Sequence, residues 1–325
     1  MTNDGPYYDD FEQGMTIPPL PPVTVTEADN VAYRMITGDQ HLPAADRSLY
    51  AADTDAGAAA GAMVYPALVM QYSIGQTTNA TRRAIANLYY RSVRILRPVE
   101  VGETLRTTTT VLGLADSRPK GDLHRGKVWL GIETVGDNGP VANYERCALV
   151  ASRGRSSPGH GDEIPGPSDP VPLTEVAGLV PKWDLGALPA TAWPVGEERA
   201  DAMRDHIDLA PSLARMTFNQ AFVHRDATAS IYDGRLVYGG HVQGLAQASL
   251  SRVLPGLAAI VAWDGCDHVG PAFEGDLLWF RHKLVEELAV DGGRLLRFEV
   301  RGAAVDRDGN PGDDILVWTP VVYAP

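Results

Sequence analysis

The sequence predicts an α+β chain built as two tandem copies of one unit, each a long buried helix followed by antiparallel strands. Three observations carry this. The chain repeats itself in register: Val64-Tyr65 and Pro98-Val99-Glu100-Val101-Gly102-Glu103 recur as Val237-Tyr238 and Pro271-Ala272-Phe273-Glu274-Gly275-Asp276, both displaced by 173 residues (238 − 65 and 271 − 98). Two copies of one fold must pack together to cover their apolar faces. Val242, Leu245, Ala246, Ser249, Leu250 and Val253 fall on one face of a helix, and strand-like segments follow it. Finally, 325 residues with 44% hydrophobic and 21% charged content suit two globular domains of roughly 130–150 residues each.

The first unit, residues 1–152, opens with Tyr7-Tyr8-Asp9-Asp10-Phe11 and a proline-rich run from Pro18 to Pro22. Thr26 is placed to cap a helix whose first turn carries Glu27 and Asp29, with Val31, Met35 and Ile36 as its apolar face. Residues 53–62, rich in alanine and glycine, read as an insertion, because Asp39 to Tyr65 spans 26 residues where Asn219 to Tyr238 spans 19. Their spacing is not that of a phosphate-binding loop. A central helix follows Tyr65, and strands are expected over 92–96, 105–112, 127–135 and 142–151, with Asn138-Gly139 as a turn. Residues 153–181, rich in Gly, Pro, Ser and Asp, read as a surface linker. The second unit, 182–325, begins near Trp183-Asp184-Leu185-Gly186. Its central helix follows Tyr238, and its strands are expected over 275–285, 294–305 and 315–323, with Asp308-Gly309 as a turn.

Bulk properties narrow the function classes. The formal charge of −13 argues against a nucleic-acid footprint or an anionic membrane partner. No apolar run reaches the ~18 residues that span a bilayer, and the first residues resemble no signal peptide, so a cytoplasmic protein is expected. Cys147 and Cys266 lack CxxC or CxxH spacing, which indicates neither a disulfide framework nor a zinc site.

Several stretches carry a family resemblance together. They are Tyr8-Asp9-Asp10-Phe11 with Gly14, Ala86-Asn87-Leu88 with Arg94-Ile95-Leu96-Arg97-Pro98-Val99, and Val111-Leu112-Gly113-Leu114. In the second half they are Asn219 with Val223-His224, Val237-Tyr238-Gly239-Gly240-His241-Val242, and His268-Val269 with Phe273-Glu274-Gly275-Asp276. In their order and spacing the chain resembles the MaoC-like hydratases, two hotdog folds in one polypeptide forming a pseudo-dimer, and among them the mesaconyl-CoA hydratase (β-methylmalyl-CoA dehydratase) branch. The resemblance implies reversible hydration of an enoyl-CoA with a short branched or dicarboxylic acyl group such as mesaconyl, without metal or redox cofactor, coenzyme A being part of the substrate. A homo-oligomer of pseudo-dimers is compatible with it.

The family motif carries an Asp and a His five residues apart, which position and deprotonate a water. Here that spacing gives Asp39 with Ala44, and Asn219 with His224. An amide orients but does not take a proton, so any proton transfer falls to His224. Gly239 and Gly240 begin the second central helix, where unpaired N–H groups sit at the positive dipole end and missing side chains admit a thioester. The first helix has Pro66, with no N–H, and Ala67 there. The catalytic candidates are therefore His224, Asn219 and Gly240, with Gly239, Tyr238, His241 and Arg94 as substrate contacts. Asp39 without its partner reads as a cap or turn residue. His241 and His268 are equally open to bonding a backbone carbonyl. Arg91, Arg94 and Arg97 suit either coenzyme A phosphates or a solvated strand edge. Two rival functions share the pattern: an acyl-CoA thioesterase, since Tyr238-Gly239-Gly240 with Ala246-Gln247-Ala248 also looks like a double-hotdog thioesterase helix, and a non-catalytic or heteromeric subunit.

Overall fold

Long apolar and alternating segments pair into a sheet that crosses from one half of the chain to the other. The computed structural model describes residues 5–49, 62–154, 156–166, 169–230 and 232–325; all but the last residue of the expected insertion lies outside them. The strands are β1 (Val23–Thr24), β2 (Ala84–Ile95), β3 (Thr104–Lys120), β4 (Leu123–Gly136), β5 (Gly139–Ala151), β6 (Glu198–Ala200), β7 (Asp205–His206), β8 (Ala259–His268), β9 (Leu277–Val290), β10 (Gly293–Val305) and β11 (Pro311–Ala324). They form an antiparallel sheet in the order β1-β3-β4-β5-β2-β8-β11-β10-β9-β6, with β7 also on β9. The order β3-β4-β5-β2 is mirrored by β9-β10-β11-β8, so the repeat in sequence is a repeat in space. The tight turns at Gly139 (φ 110°) and Gly309 (φ 84°) need the left-handed conformations that glycine adopts without strain.

The seam is β2 against β8, with Val93 opposite Trp263 and Arg94 opposite Ala262. Neither the whole of β2 nor β8 was expected from the sequence, although Ala258–Trp263 is a continuous apolar run of the kind that central strands show. Ser92 adopts φ 52°, and the β2–β5 register shifts between Arg91 and Arg94. This extra residue puts Tyr90 and Val93, three apart, on the same core side with Trp263. Arg94 is turned to the opposite face, where Ala262 packs with Leu295 and Val321.

The helices are α1 (Glu27–Thr37), α2 (Leu42–Ala45), α3 (Pro66–Thr77), α4 (Leu173–Val176), α5 (Ala210–Met216) and α6 (Gly239–Val253). Every residue of α3 is buried, as are Gly240 to Ser251 of α6. Helices buried all round must lie between layers, and these two pack on their own strands and on each other. The Gln71 amide donates to the Gly240 carbonyl (2.6 Å), and the Gln247 amide donates to the Asp39 carboxylate (3.0 Å). Each helix thus ties itself to the other half.

Helix α1 is capped as expected, the Thr26 N–H donating to Asp29 (2.7 Å) and Gly38 closing the far end at φ 64°. Of its expected apolar face only Ile36 is buried, at 6% exposure, while Val31 and Met35 are 48% and 69% exposed. Asn30, Tyr33 and Thr37 are buried with it, because Asn30 satisfies backbone at Met63 and Tyr65 (2.9 and 3.3 Å). Residues 153–181 are more than a surface crossing, since Leu173 and Val176 are buried against the outer face of the seam.

Gly75 of α3 packs where a Cβ would overlap the carbonyl oxygen of Thr217. Backbone cannot rotate away as a side chain can, so Gly75→Ala is expected to lower unfolding free energy by about 2–3 kcal/mol, read as a reduced urea midpoint at unchanged slope.

Candidate active site

A cavity of about 220 Å³ opens between the two halves. Its wall takes Asn219, His224, Tyr238, Gly239 and His268 from the second half, and Ile74, Thr78, Asn87, Tyr90 and Arg146 from the first. It adjoins, through the shared Tyr232 and Leu236, a groove of about 200 Å³ also lined by Arg82, Arg83 and Phe222, which shares Arg82 and Phe222 with a surface hollow that also holds Arg225.

His224 sits on a 3-10 turn, Phe222–His224. Its Nδ1 is 3.0 Å from the Leu236 carbonyl. A carbonyl only accepts, so Nδ1 carries the proton and Nε2 keeps a lone pair. Burial, opposed by the Leu236 bond and aided by the Arg146 charge, brings the imidazole down to about 4. The ring is therefore neutral at physiological pH.

Asn219 is held by the end of the first half's helix. The Gln220 N–H donates to the Thr78 hydroxyl (2.9 Å) and the Asn219 N–H to Ala214 (2.9 Å). The Asn219 side-chain oxygen accepts from the Ala221 N–H (2.9 Å), which assigns the amide and leaves its NH2 as the donor group. Asp39 makes the same local turn, accepting from the His41 N–H (2.9 Å), so the two halves share this geometry. The Asp39 carboxylate is buried at the interhelix contact with its pKa raised by burial, outside the cavity wall.

The remaining sequence candidates divide. Gly239 and Tyr238 line the cavity; Gly240, His241 and Arg94 do not. The glycines are small for a different reason than expected: a Cβ on Gly239 would strike the His268 imidazole, and one on Gly240 the Tyr238 ring. His268, itself lowered to about 4 chiefly by burial, is thus packed against the helix start. His241 is fully buried in α6, and neither ring nitrogen has a hydrogen-bond partner among the described residues. Arg94 is on the outer face because of the bulge at Ser92, and it donates to the Val93 carbonyl (3.0 Å). Its strand companions are paired, Arg91 with Glu145 (3.2 Å) and Arg97 with Glu103 (2.6 Å). The cavity-side arginine is Arg146, which sequence reasoning missed. Its parity with Tyr144, Ala148 and Val150 along an alternating strand was the available signal, since all four are buried.

The pseudo-symmetric site is closed. Pro66, Val69, Ile95, Arg97, Pro98 and Val99 line a cavity of about 20 Å³, and adding 173 to each gives Gly239, Val242, His268, Gly270, Pro271 and Ala272 of the large one. Leu179 and Pro181 of the connecting segment also wall the small cavity.

Elsewhere, Ser249 donates to Asp201 (2.8 Å) and lies 2.8 Å from His282 Nε2. This is not a nucleophilic triad: the acid holds the serine rather than the second imidazole nitrogen, and both Ser249 and His282 are fully buried. Among the described residues no group of three or more His, Cys, Asp or Glu could hold a metal ion. Both cysteines are buried and free, and no helix among those residues is long and apolar enough to cross a membrane.

No family model matches the sequence. The chain is 28% identical over 291 residues to mesaconyl-CoA hydratase of Cereibacter sphaeroides, covering 85% of this chain and 82% of that one. It is also 28% identical to β-methylmalyl-CoA dehydratase of Chloroflexus aurantiacus, covering 90% and 85%. Among solved structures, a conserved hypothetical protein of Mycobacterium tuberculosis with a double hotdog fold matches at 32% identity over 99% of both chains, with a TM-score of 0.88. A putative MaoC domain dehydratase from Chloroflexus aurantiacus matches at 25% identity over 100% and 98%, with a TM-score of 0.83.

Two outcomes are expected. Gly239→Ala should displace His268 and the helix start and cost about 100-fold in any activity of this site, measured against unchanged secondary structure by circular dichroism. Burial lowers His41, His224, His241 and His268 to about 4 and His282 to about 3. Unfolded imidazoles titrate near 6.5, so the unfolded chain binds protons first and stability, complete above that pH, is lost as pH falls from 6.5 toward 4. The raised carboxyls of Asp39, Asp205 and Asp267 act oppositely but are outnumbered. Urea unfolding at pH 7.5, 6.0 and 5.0 should show stability falling by more than about 1.4 kcal/mol per pH unit at the acid end.

Proposed function

The chain belongs to the MaoC-like double-hotdog family, and from that premise we propose that it reversibly adds water across the double bond of a 2-enoyl-CoA. The observation that carries this reading is the state of His224: a neutral imidazole, its Nδ1 proton fixed by Leu236, that lines the same interhalf cavity as Asn219. In the hydration direction the Asn219 NH2 orients a water and His224 Nε2 takes its proton. The water oxygen bonds to the β carbon while the π pair moves onto the thioester as an enolate. The resulting imidazolium then gives its proton to the α carbon, which restores the neutral base and completes the addition. Dehydration is the same path reversed.

The start of α6 supports the enolate oxygen, because Gly239 lines the cavity and its N–H, at the first helical position, has no preceding turn to bond, whereas the His241 N–H already donates to the Tyr238 carbonyl (2.8 Å). The groove and the hollow beyond it suit the pantetheine arm and the phosphates of coenzyme A, with Arg82, Arg83 and Arg225 in place of the strand arginines expected from the sequence. A short branched or dicarboxylic acyl group such as mesaconyl is the substrate class that the named relatives support.

The test is to incubate the protein with mesaconyl-CoA or crotonyl-CoA while following enoyl absorbance and free thiol together. Absorbance should fall with no thiol released; thiol release would instead identify a thioesterase, and no reaction without a second hotdog protein would identify a heteromeric subunit. His224→Ala is expected to lower kcat about 10²- to 10⁴-fold, whereas Asp39→Ala leaves most activity. The acid limb of kcat/KM should fall below pH 5 rather than near 6.5, because the free enzyme's imidazole titrates at about 4.

A further inference from the structure

Arg146 is the one permanently charged side chain in the described wall of the cavity, and no aspartate or glutamate shares that wall with it. It is 6% exposed. Its Nε donates to Asn87 Oδ1 (2.6 Å) and its Nη1 to the Thr77 hydroxyl (2.9 Å), both neutral acceptors. Its guanidinium carbon lies 5.7 Å from the Tyr90 ring centre.

Other well-buried arginines of this chain are treated differently. Arg297 is paired with Asp264 and Glu286, and Arg252 with Asp201 and Asp205. Burying a cation without a carboxylate is costly unless another anion completes it. The Asn87 NH2 has no partner either, which puts a second donor beside the guanidinium fork. The coenzyme A phosphates do not meet this need, since the arginines that suit them line the outer groove and hollow.

We propose that Arg146, with the Asn87 amide, receives a carboxylate at the far end of the acyl chain and so selects dicarboxylic over monocarboxylic acyl thioesters. The assignment rests on the acyl-CoA reading of the cavity. An Arg fork matches the two oxygens of a carboxylate in geometry as well as charge.

The test uses saturated thioesters of equal chain length, which bind without reacting: succinyl-CoA and butyryl-CoA, titrated calorimetrically into the wild-type protein, Arg146→Gln and Arg146→Lys. Wild type should bind succinyl-CoA about 10- to 100-fold more tightly than butyryl-CoA. Arg146→Gln should erase that ratio while leaving butyryl-CoA affinity nearly unchanged, and Arg146→Lys should retain part of it. Equal wild-type affinity for the two thioesters overturns the proposal without needing any variant, and so covers a glutamine variant that fails to fold. An equal weakening of both in Arg146→Gln also overturns it and moves the arginine's role to the thioester or to the fold. Binding of neither thioester by wild type defeats the acyl-CoA reading itself, and the assignment with it.

Discussion

The pairing of β2 with β8 is the constraint on which everything else rests. It joins two helix-and-sheet units into one sheet, and it sets the first half's Tyr90 and Arg146 beside the second half's Asn219, His224 and Tyr238. Neither half alone has a complete cavity wall. The bulge at Ser92 belongs to the same constraint, since it decides which strand side chains face the helices. The interhelix bonds of Gln71 and Gln247 then fix the two helices against one another at positions where an unmade amide bond would be expensive.

From this near-symmetric frame the chain makes one open cavity and one closed one. The difference lies in a few corresponding positions. Ile95 occupies the place of His268, Pro66 the place of Gly239, and the connecting segment adds Leu179 and Pro181 to the closed side. Mostly apolar side chains leave only about 20 Å³ in the smaller site, and proline removes an N–H from its helix start. The Asp39 turn has the same backbone geometry as that of Asn219, but its carboxylate accepts from Gln247 at the interhelix contact.

The electrostatics of the open cavity follow from burial. Two imidazoles are kept neutral by desolvation and by one guanidinium. The one permanent charge in the described wall is that of Arg146, and no carboxylate there opposes it. Such a space favours groups that are negative or become so, which unites the enolate of the proposed reaction with the acyl carboxylate assigned to Arg146.

Much of this was legible in the sequence. The in-register repeat dictated two units, and helical and alternating periodicities placed the central helices and most long strands, because these patterns follow directly from backbone geometry. The five-residue spacing of Asn219 and His224, against Asp39 and Ala44, pointed to the half whose residues line the open cavity. The tertiary structure decided what depends on contacts across the seam. It turned Arg94 outward through a single bulged residue, brought Arg146 inward by strand parity, gave the two glycines their neighbours in His268 and Tyr238, and closed the sister site with a linker. Local sequence records which side chains a segment carries. Which of them share a cavity depends on register and on packing between residues more than a hundred positions apart, and that is settled only when the whole sheet has formed.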